Sequence, residues 1–451
     1  MLSTNDNQML TQVGPGTPMG NTMRHYWIPA ILASELPTPK APPLEIRLLG
    51  EDLTAFRAGD GSVGLVQSNC PHRGAPLYYG RPEDGGIRCA YHGWMFDTKG
   101  RCVDMPNEPE ESNFKDKVSI AAYPCVERNG IVWTYMGVEA TPPPLPDLEW
   151  NLVPEDHVHV TKRIQNCNFM QALEGEIDSS HSTFLHSALN NDAFTTPVAV
   201  NLVRSKGELY RMQDKRPRFQ VLDTDAGVMI GASYSAEEDA RYWRITQFLM
   251  PFHTIIPPYG ASPAFSGHAW VPIDDTHTMT LCFTYHPARP LTEEHRNMLM
   301  HQRDGLEGLH PTVEAFEPAP AVPGNATWRT KLKHEGRSRF PIDWEFQNTK
   351  SFSGLPGVWP QDTAMQEGMG PIYNRSQEHL GTTDMGIIRV RRRLIEGARS
   401  LVDHGVTPAG AAEPWAYAIR SASALVDNDG SWVDMTAEPR TARLGVSDDT
   451  P

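Results

Sequence analysis

The chain has 451 residues with 39% hydrophobic content, enough for a sizeable core and for two domains rather than one, which excludes disorder or coiled coil as global descriptions. Its 40 Lys+Arg against 55 Asp+Glu give a net charge of −15 at pH 7, which argues against nucleic acid or an anionic membrane surface as the main partner, because both reward clustered positive charge. No apolar run approaches the roughly 18–20 residues of a membrane span and MLSTNDNQML lacks a signal-peptide profile, so a cytoplasmic protein is expected.

Residues 1–43 read as a turn-rich lead-in. Gly14, Gly16 and Gly20 are spaced like a phosphate loop, but Pro15 and Pro18 interrupt them and no strand precedes them. From Leu44 to Gln67, short alternating runs broken at Gly50-Glu51 and Gly59-Asp60-Gly61 predict antiparallel hairpins. IVWTYMG at 131–137 predicts another strand, and residues 44–140 are expected to form a small all-β domain. Pro142, Pro143, Pro144 and Pro146 make 141–155 a stiff linker. Residues 156–438 are mixed: HVHVTKRI (157–164), YWRITQFLMPFHTIIP (242–257) and HTMTLCFTYHP (277–287) predict strands. Residues 168–186, 291–306, 361–369 and 385–405 predict helices, the last stopped at Gly405. Residues 439–451 read as a loose tail.

Six cysteines, at 70, 89, 102, 125, 167 and 282, are too sparse to staple such a chain, so a paired subset is better read as metal ligands. Cys70-Pro71-His72 is followed, sixteen residues later, by Cys89-Ala90-Tyr91-His92. Two thiolates and two imidazoles are also a zinc ligand set, but here each short loop supplies one of each. That arrangement suits a [2Fe–2S] rhombus held from two sides, one iron by two thiolates and the other by two histidines, with a raised potential. Gly74 and Gly93 would let the backbone crowd the sulfurs, and Trp94 would cover the cluster. The spacing, with its flanking C-P-H-R-G-A and C-x-Y-H-G-W, resembles the Rieske motif. The other four cysteines read as small buried hydrophobes.

A second constellation is Asp178-x-x-His181 followed by His186. Asp178 and His181 would share a helical face, whereas His181 and His186 converge on one ion only through a π-bulge or loosened turn. Two histidines and a carboxylate leave positions open on non-haem Fe(II), and a Rieske cluster needs an acceptor for its single electrons.

Taken with VGPGTPMGNTMRHYWIPA, CNFMQALEGEIDSSHSTFLH, YWRITQFLMP and QDTAMQEGMGPIYNRSQEHLGTTD, the chain resembles the oxygenase component of Rieske non-haem iron oxygenases, most similar to the phthalate dioxygenase family, over nearly its whole length. The resemblance implies an α+β fold: an N-terminal all-β Rieske domain and a helix-grip catalytic domain on a large antiparallel sheet. It makes Cys70, His72, Cys89 and His92 the cluster ligands. His181, His186 and Asp362 become ligands of the mononuclear iron, Asp343 and Asp384 being the competing carboxylates. Asp178 would bridge His181 to His92 of a neighbouring subunit, implying a homotrimer or two stacked trimers.

No nicotinamide fingerprint appears, so electrons are expected from a separate NAD(P)H-dependent reductase carrying flavin and a [2Fe–2S] centre. Substrate-side departures from the family pattern are Asn168-Phe169 and Asn374-Arg375-Ser376, and Arg244 is placed to clamp a carboxylate. The expected reaction is O2-dependent hydroxylation of a benzoate-like ring. The alternative is monooxygenation or dealkylation of a small neutral compound, such as a branched alcohol or ether. A Rieske-type electron carrier is disfavoured by some 300 residues beyond the cluster module, and a zinc-stabilised binding protein would be colourless.

Overall fold

A computed structural model describes residues 1–139, 141–187, 189, 206–258, 264–300, 316–317, 329–330, 340–355 and 357–444. The lead-in departs from the turn-rich expectation. It contains helix α1 (Thr4–Thr11), helix α2 (Pro18–Arg24) and strand β1 (Trp27–Leu32). The Pro and Gly residues that suggested turns are helix punctuation: Thr17 accepts from Gly20 N as the cap of α2, and Pro18 occupies its first turn.

The amino-terminal module is built from short antiparallel sheets. Strands β2 (Leu44–Leu48), β3 (Glu51–Arg57) and β4 (Val63–Gln67) are the expected hairpins. Strands β5 (Arg81–Glu83), β6 (Gly86–Arg88), β7 (Met95–Phe96) and β8 (Cys102–Asp104) form a second sheet, and β9 (Ala122–Tyr123) pairs with β4. Strand β10 (Cys125–Arg128) and β1 flank β11 (Ile131–Tyr135), which is fully buried. The proline-rich stretch adds no strand and leads into a packed turn. There Trp150 is buried, and Glu149 is held by Arg420 and accepts from Tyr285 Oη.

The larger module is built on a large antiparallel sheet, with a separate two-stranded pair at Phe316–Glu317 and Arg329–Thr330. The strands of the large sheet are β12 (Val158–Gln165), β13 (Arg218–Thr224), β14 (Gly227–Ser235), β15 (Ala240–Leu249), β16 (His253–Ile256), β17 (Phe265–Asp274), β18 (His277–Tyr285) and β19 (Ala422–Asp427). The order is β12-β18-β17-β16-β15-β14-β13, and β19 pairs with β15. Strands β13, β14, β17 and β19 were not foreseen. Strand β14 is buried at eight consecutive positions and so shows no polar alternation to read.

Helix α3 (Phe169–Ile177) ends at Asp178, whose backbone is extended, so the expected helix over 168–186 is broken there. The other α-helices among the described residues are α4 (Lys206–Gln213), α5 (Glu293–Met300), α6 (Trp344–Thr349), α7 (Val358–Gly368), α8 (Met385–His404) and α9 (Trp432–Met435). Residues 301–306 of the expected 291–306 helix lie outside the described residues. Helix α8 buries Val390, Leu394, Ile395 and Ala398 along one stripe and stops at Gly405, left-handed at φ 65°. Glu174 of α3 accepts from both Arg375 and Arg391, tying α3 to α8 through a buried ion pair. The tail is not loose as far as it is described: Arg420 N donates to Arg440 O and Arg443 N to Glu149 Oε1, while 445–451 lie outside the described residues. Among the described residues no helix is long and apolar enough to cross a membrane.

Candidate functional site

Two matching turns present the first group of ligands. Cys70 and Cys89 each open a loop that a glycine closes four residues later: Gly74 N donates to Cys70 O at 2.9 Å and Gly93 N to Cys89 O at 3.0 Å. Both glycines have positive φ, 74° and 80°. Their requirement is therefore conformational, because side-chain-bearing residues rarely adopt that backbone. Arg88 braces the second loop through Gly93 O, Glu83 and Asp104.

The four side chains divide two and two. The thiols of Cys70 and Cys89 are buried; burial, and then the proximity of Cys89, push the Cys70 thiol up to about 11. The rings of His72 and His92 are 4.4 Å apart, and Trp94 stacks on His72 at 4.5 Å. His72 Nδ1 is buried without a hydrogen-bond partner. No three of these ligand atoms come within 4.8 Å of one another, as one tetrahedral zinc would require. The residues fit a two-iron cluster, which replaces the thiol protons and takes up the orphaned imidazole nitrogen.

The second group forms where α3 gives way to a single 3-10 turn at His181–Thr183. This break, rather than a π-bulge, lets His181 and His186 converge, with Nε2 atoms 3.2 Å apart. Helix α7 brings Asp362 Oδ1 to 3.5 Å from His181 Nε2 and 3.2 Å from His186 Nε2. Burial opposes ionisation of Asp362, but His186, then His181, then Arg163 hold its carboxyl below the usual range. Among the described residues this is the trio of His, Cys, Asp or Glu side chains whose atoms lie within 4.8 Å, the reach of one ion.

A side chain not anticipated completes the set. Gln361 Oε1 lies 2.6 Å from His186 Nδ1, while Gln361 Nε2 donates to Leu355 O at 3.0 Å. The second bond fixes the amide, so Oε1 must accept from His186 Nδ1–H, leaving the Nε2 lone pair toward Asp362. Gln361→Leu is expected to weaken iron retention about 10- to 100-fold, measured as iron content after equilibration with graded chelator, while Gln361→Glu, which keeps the acceptor, stays near the parent.

Helix α7 is held in register by amides. Gln165 Nε2 donates to Gln366 Oε1 at 2.6 Å, and Gln171 Nε2 to the Gln366 and Gly370 carbonyls. Gly175 permits this approach, because a Cβ there would lie 2.4 Å from Gln366 Nε2. The competing carboxylates are engaged elsewhere: Asp343 caps α6 through Phe346 N, and Asp384 accepts from Gly381 N. Asp178 accepts from Ser180 N at 2.7 Å, and its Oδ2 is 3.7 Å from His181 Nδ1, too long for a hydrogen bond.

The substrate-side candidates Asn168 and Phe169 are packed into the interior. Asn168 is buried, caps α3, and donates to Thr11 O and Asp275 O, while Phe169 lies in the main core. Asn374 likewise binds Ser376, and Arg375 binds Glu174. Arg244 is buried on β15 and donates to Pro257 O at 3.2 Å.

Residues 26–124 match the Rieske [2Fe-2S] domain family, and residues 134–312 and 324–449 match the family described as LigXa C-terminal domain like. The chain is 38% identical to the 3-chlorobenzoate-3,4-dioxygenase oxygenase subunit of Comamonas testosteroni, over 92% of this chain and 93% of that one. It is 36% identical to the phthalate 4,5-dioxygenase oxygenase subunit of Pseudomonas putida, over 97% and 95%. Its fold resembles dicamba monooxygenase bound to dicamba, with a TM-score of 0.56 at 18% identity, covering 84% of this chain and 98% of that one. The two-plus-two Cys/His loops and the whole-length likeness to these subunits lead to one assignment: the chain belongs to the Rieske non-haem iron oxygenases, as an oxygenase component.

Proposed function

We propose that the chain hydroxylates a benzoate-like aromatic carboxylate, using electrons from an NAD(P)H-dependent reductase that carries flavin and a [2Fe–2S] centre. Cys70, His72, Cys89 and His92 hold the Rieske cluster, and His181, His186 and Asp362 hold a mononuclear Fe(II). When bound, these groups supply single electrons and dioxygen activation, respectively. The observation that carries the reading is the trio itself. Three ligand atoms meet on one side, the His186 tautomer is fixed by Gln361, and the side chains of His181, His186 and Asp362 remain 26%, 17% and 23% exposed, leaving an open face.

Asp178 links His181 to His92 of an adjacent subunit in a head-to-tail trimer, alone or as two stacked trimers. Both ends of that link are open on the protomer: Asp178 is 22% exposed, and His92 lies beside the exposed ring of Tyr91. A ring gives every cluster an acceptor without leaving one unpaired. A cytoplasmic location is supported by the cysteines, all of which are free of disulfides.

The test is a substrate panel with the purified oxygenase and a compatible reductase, scored by O2 uptake and product identification. Hydroxylated aromatic acid formed in proportion to O2 supports the reading. Turnover confined to small alcohols or ethers would replace it with monooxygenation of a neutral substrate.

A further inference from the structure

The two cluster loops are built alike but are not covered alike. In each, the cysteine N–H is bonded across the turn to the fifth residue on: Cys70 N donates to Ala75 O and Cys89 N to Trp94 O, both at 2.8 Å. Ala75 and Trp94 therefore occupy equivalent positions, one offering a methyl group and the other an indole. The indole, 4% exposed, lies flat on His72, with ring centroids 4.5 Å apart and planes 12° apart. His92 instead meets the ring of Tyr91 at 3.9 Å, and that ring is exposed. One imidazole is roofed by a buried ring, the other bordered by an exposed one.

The roof is fixed from outside. Trp94 Nε1 donates to Asn107 Oδ1 at 2.8 Å, and the ring of Phe114 meets the indole edge-on at 5.9 Å. Asn107 follows β8 by three residues, and Pro106 beside it closes on the second loop, since a Cβ on Gly93 would lie 2.7 Å from Pro106 Cγ. Asn107 itself is exposed, so its replacement breaks the bond to the indole without opening the core. The ring under the indole keeps its Nδ1 buried and without a hydrogen-bond partner, as a nitrogen reserved for iron would be.

We propose that Trp94, latched by Asn107, keeps water off the His72 side of the Rieske cluster and so holds its reduction potential below that of an uncovered cluster. With two thiolates and two neutral imidazoles as ligands, one-electron reduction leaves a net negative charge on the group, and a charge is less well stabilised where water is excluded. The apolar shell around a metal group, through solvent access and dielectric, is one of the levers that set its potential. Trp94 and Asn107 are positioning residues, acting on the cluster through His72. A lower potential makes the reduced cluster a stronger donor to its acceptor. The inference rests on the ligand assignment above, and on neither the substrate nor the subunit arrangement.

The purified oxygenase with its cluster loaded is titrated anaerobically with reductant and followed by visible circular dichroism, with the EPR spectrum and cluster content taken for every preparation. Trp94→Leu, which keeps an apolar side chain but no flat ring, is expected to shift the redox equilibrium toward the reduced form about tenfold, a rise of about 59 mV for one electron. Asn107→Leu moves it the same way by roughly two- to threefold, because the indole is freed but not removed. Trp94→Phe, which restores a ring over His72, stays closer to the parent than Trp94→Leu. If Trp94→Leu does not retain its cluster, Asn107→Leu, at an exposed position, decides the matter. A parental or lowered potential in cluster-loaded Trp94→Leu, or in Asn107→Leu, overturns the proposal. So does a fall in cluster content with no shift in the potential of the clusters retained, which would make the indole a packing residue only. A parent lacking the Rieske EPR signal would overturn the ligand assignment and the shield with it.

Discussion

Asp362→Ala is expected to abolish turnover and empty the mononuclear site, while the visible and EPR spectra of the Rieske cluster remain those of the parent. His181→Ala and His186→Ala do the same. The separation follows from the geometry: the trio is contributed by the 3-10 turn after α3 and by α7, and none of its atoms is shared with the loops at Cys70 and Cys89. Removing Asp362 takes away the one carboxylate among the described residues within reach of both Nε2 atoms, and the neighbouring histidines lose the anion that draws them together. Iron analysis alongside the cluster spectrum checks this. Full iron occupancy in Asp362→Ala, with loss in Asp343→Ala or Asp384→Ala, would contradict the assignment, although both of those carboxylates are occupied as caps.

Asp178→Asn is expected to slow turnover by about 10²-fold or more with both metal centres loaded and the oligomer intact. The amide keeps the shape and the acceptor for Ser180 N, so the local turn survives, but the negative charge facing His181 is removed. Rapid mixing of the pre-reduced variant with substrate and O2, followed at the cluster's absorbance, reads the step directly. Oxidation at the parental rate would make Asp178 a turn-forming residue only, and a fully active monomer would eliminate the inter-subunit route.

The cluster loops were legible because all four ligands fall between Cys70 and His92, and their spacing carries the chemistry without reference to the rest of the fold. Asp362 was reached through family likeness, since no local pattern connects it with His186, 176 positions away. Gln361 was invisible: its function depends on the Leu355 carbonyl that orients its amide, a contact no periodicity encodes. Asn168 and Phe169 misled because a difference from relatives was equated with a difference in substrate, whereas both are packing residues.

The distance in sequence between His186 and Asp362 has a thermodynamic corollary. An ion held by both is a cross-link closing a loop of some 176 residues, and it joins two segments that also meet through the His186–Gln361 hydrogen bond and the amide bonds around Gln366. An ion that binds the native arrangement and not the unfolded chain adds its binding free energy to folding, and the chain entropy it suppresses grows with the loop it closes. The metal is therefore a rivet as well as a reagent. Depletion of iron is expected to lower stability first where the turn after α3 meets α7, the part of the molecule that carries the candidate ligands.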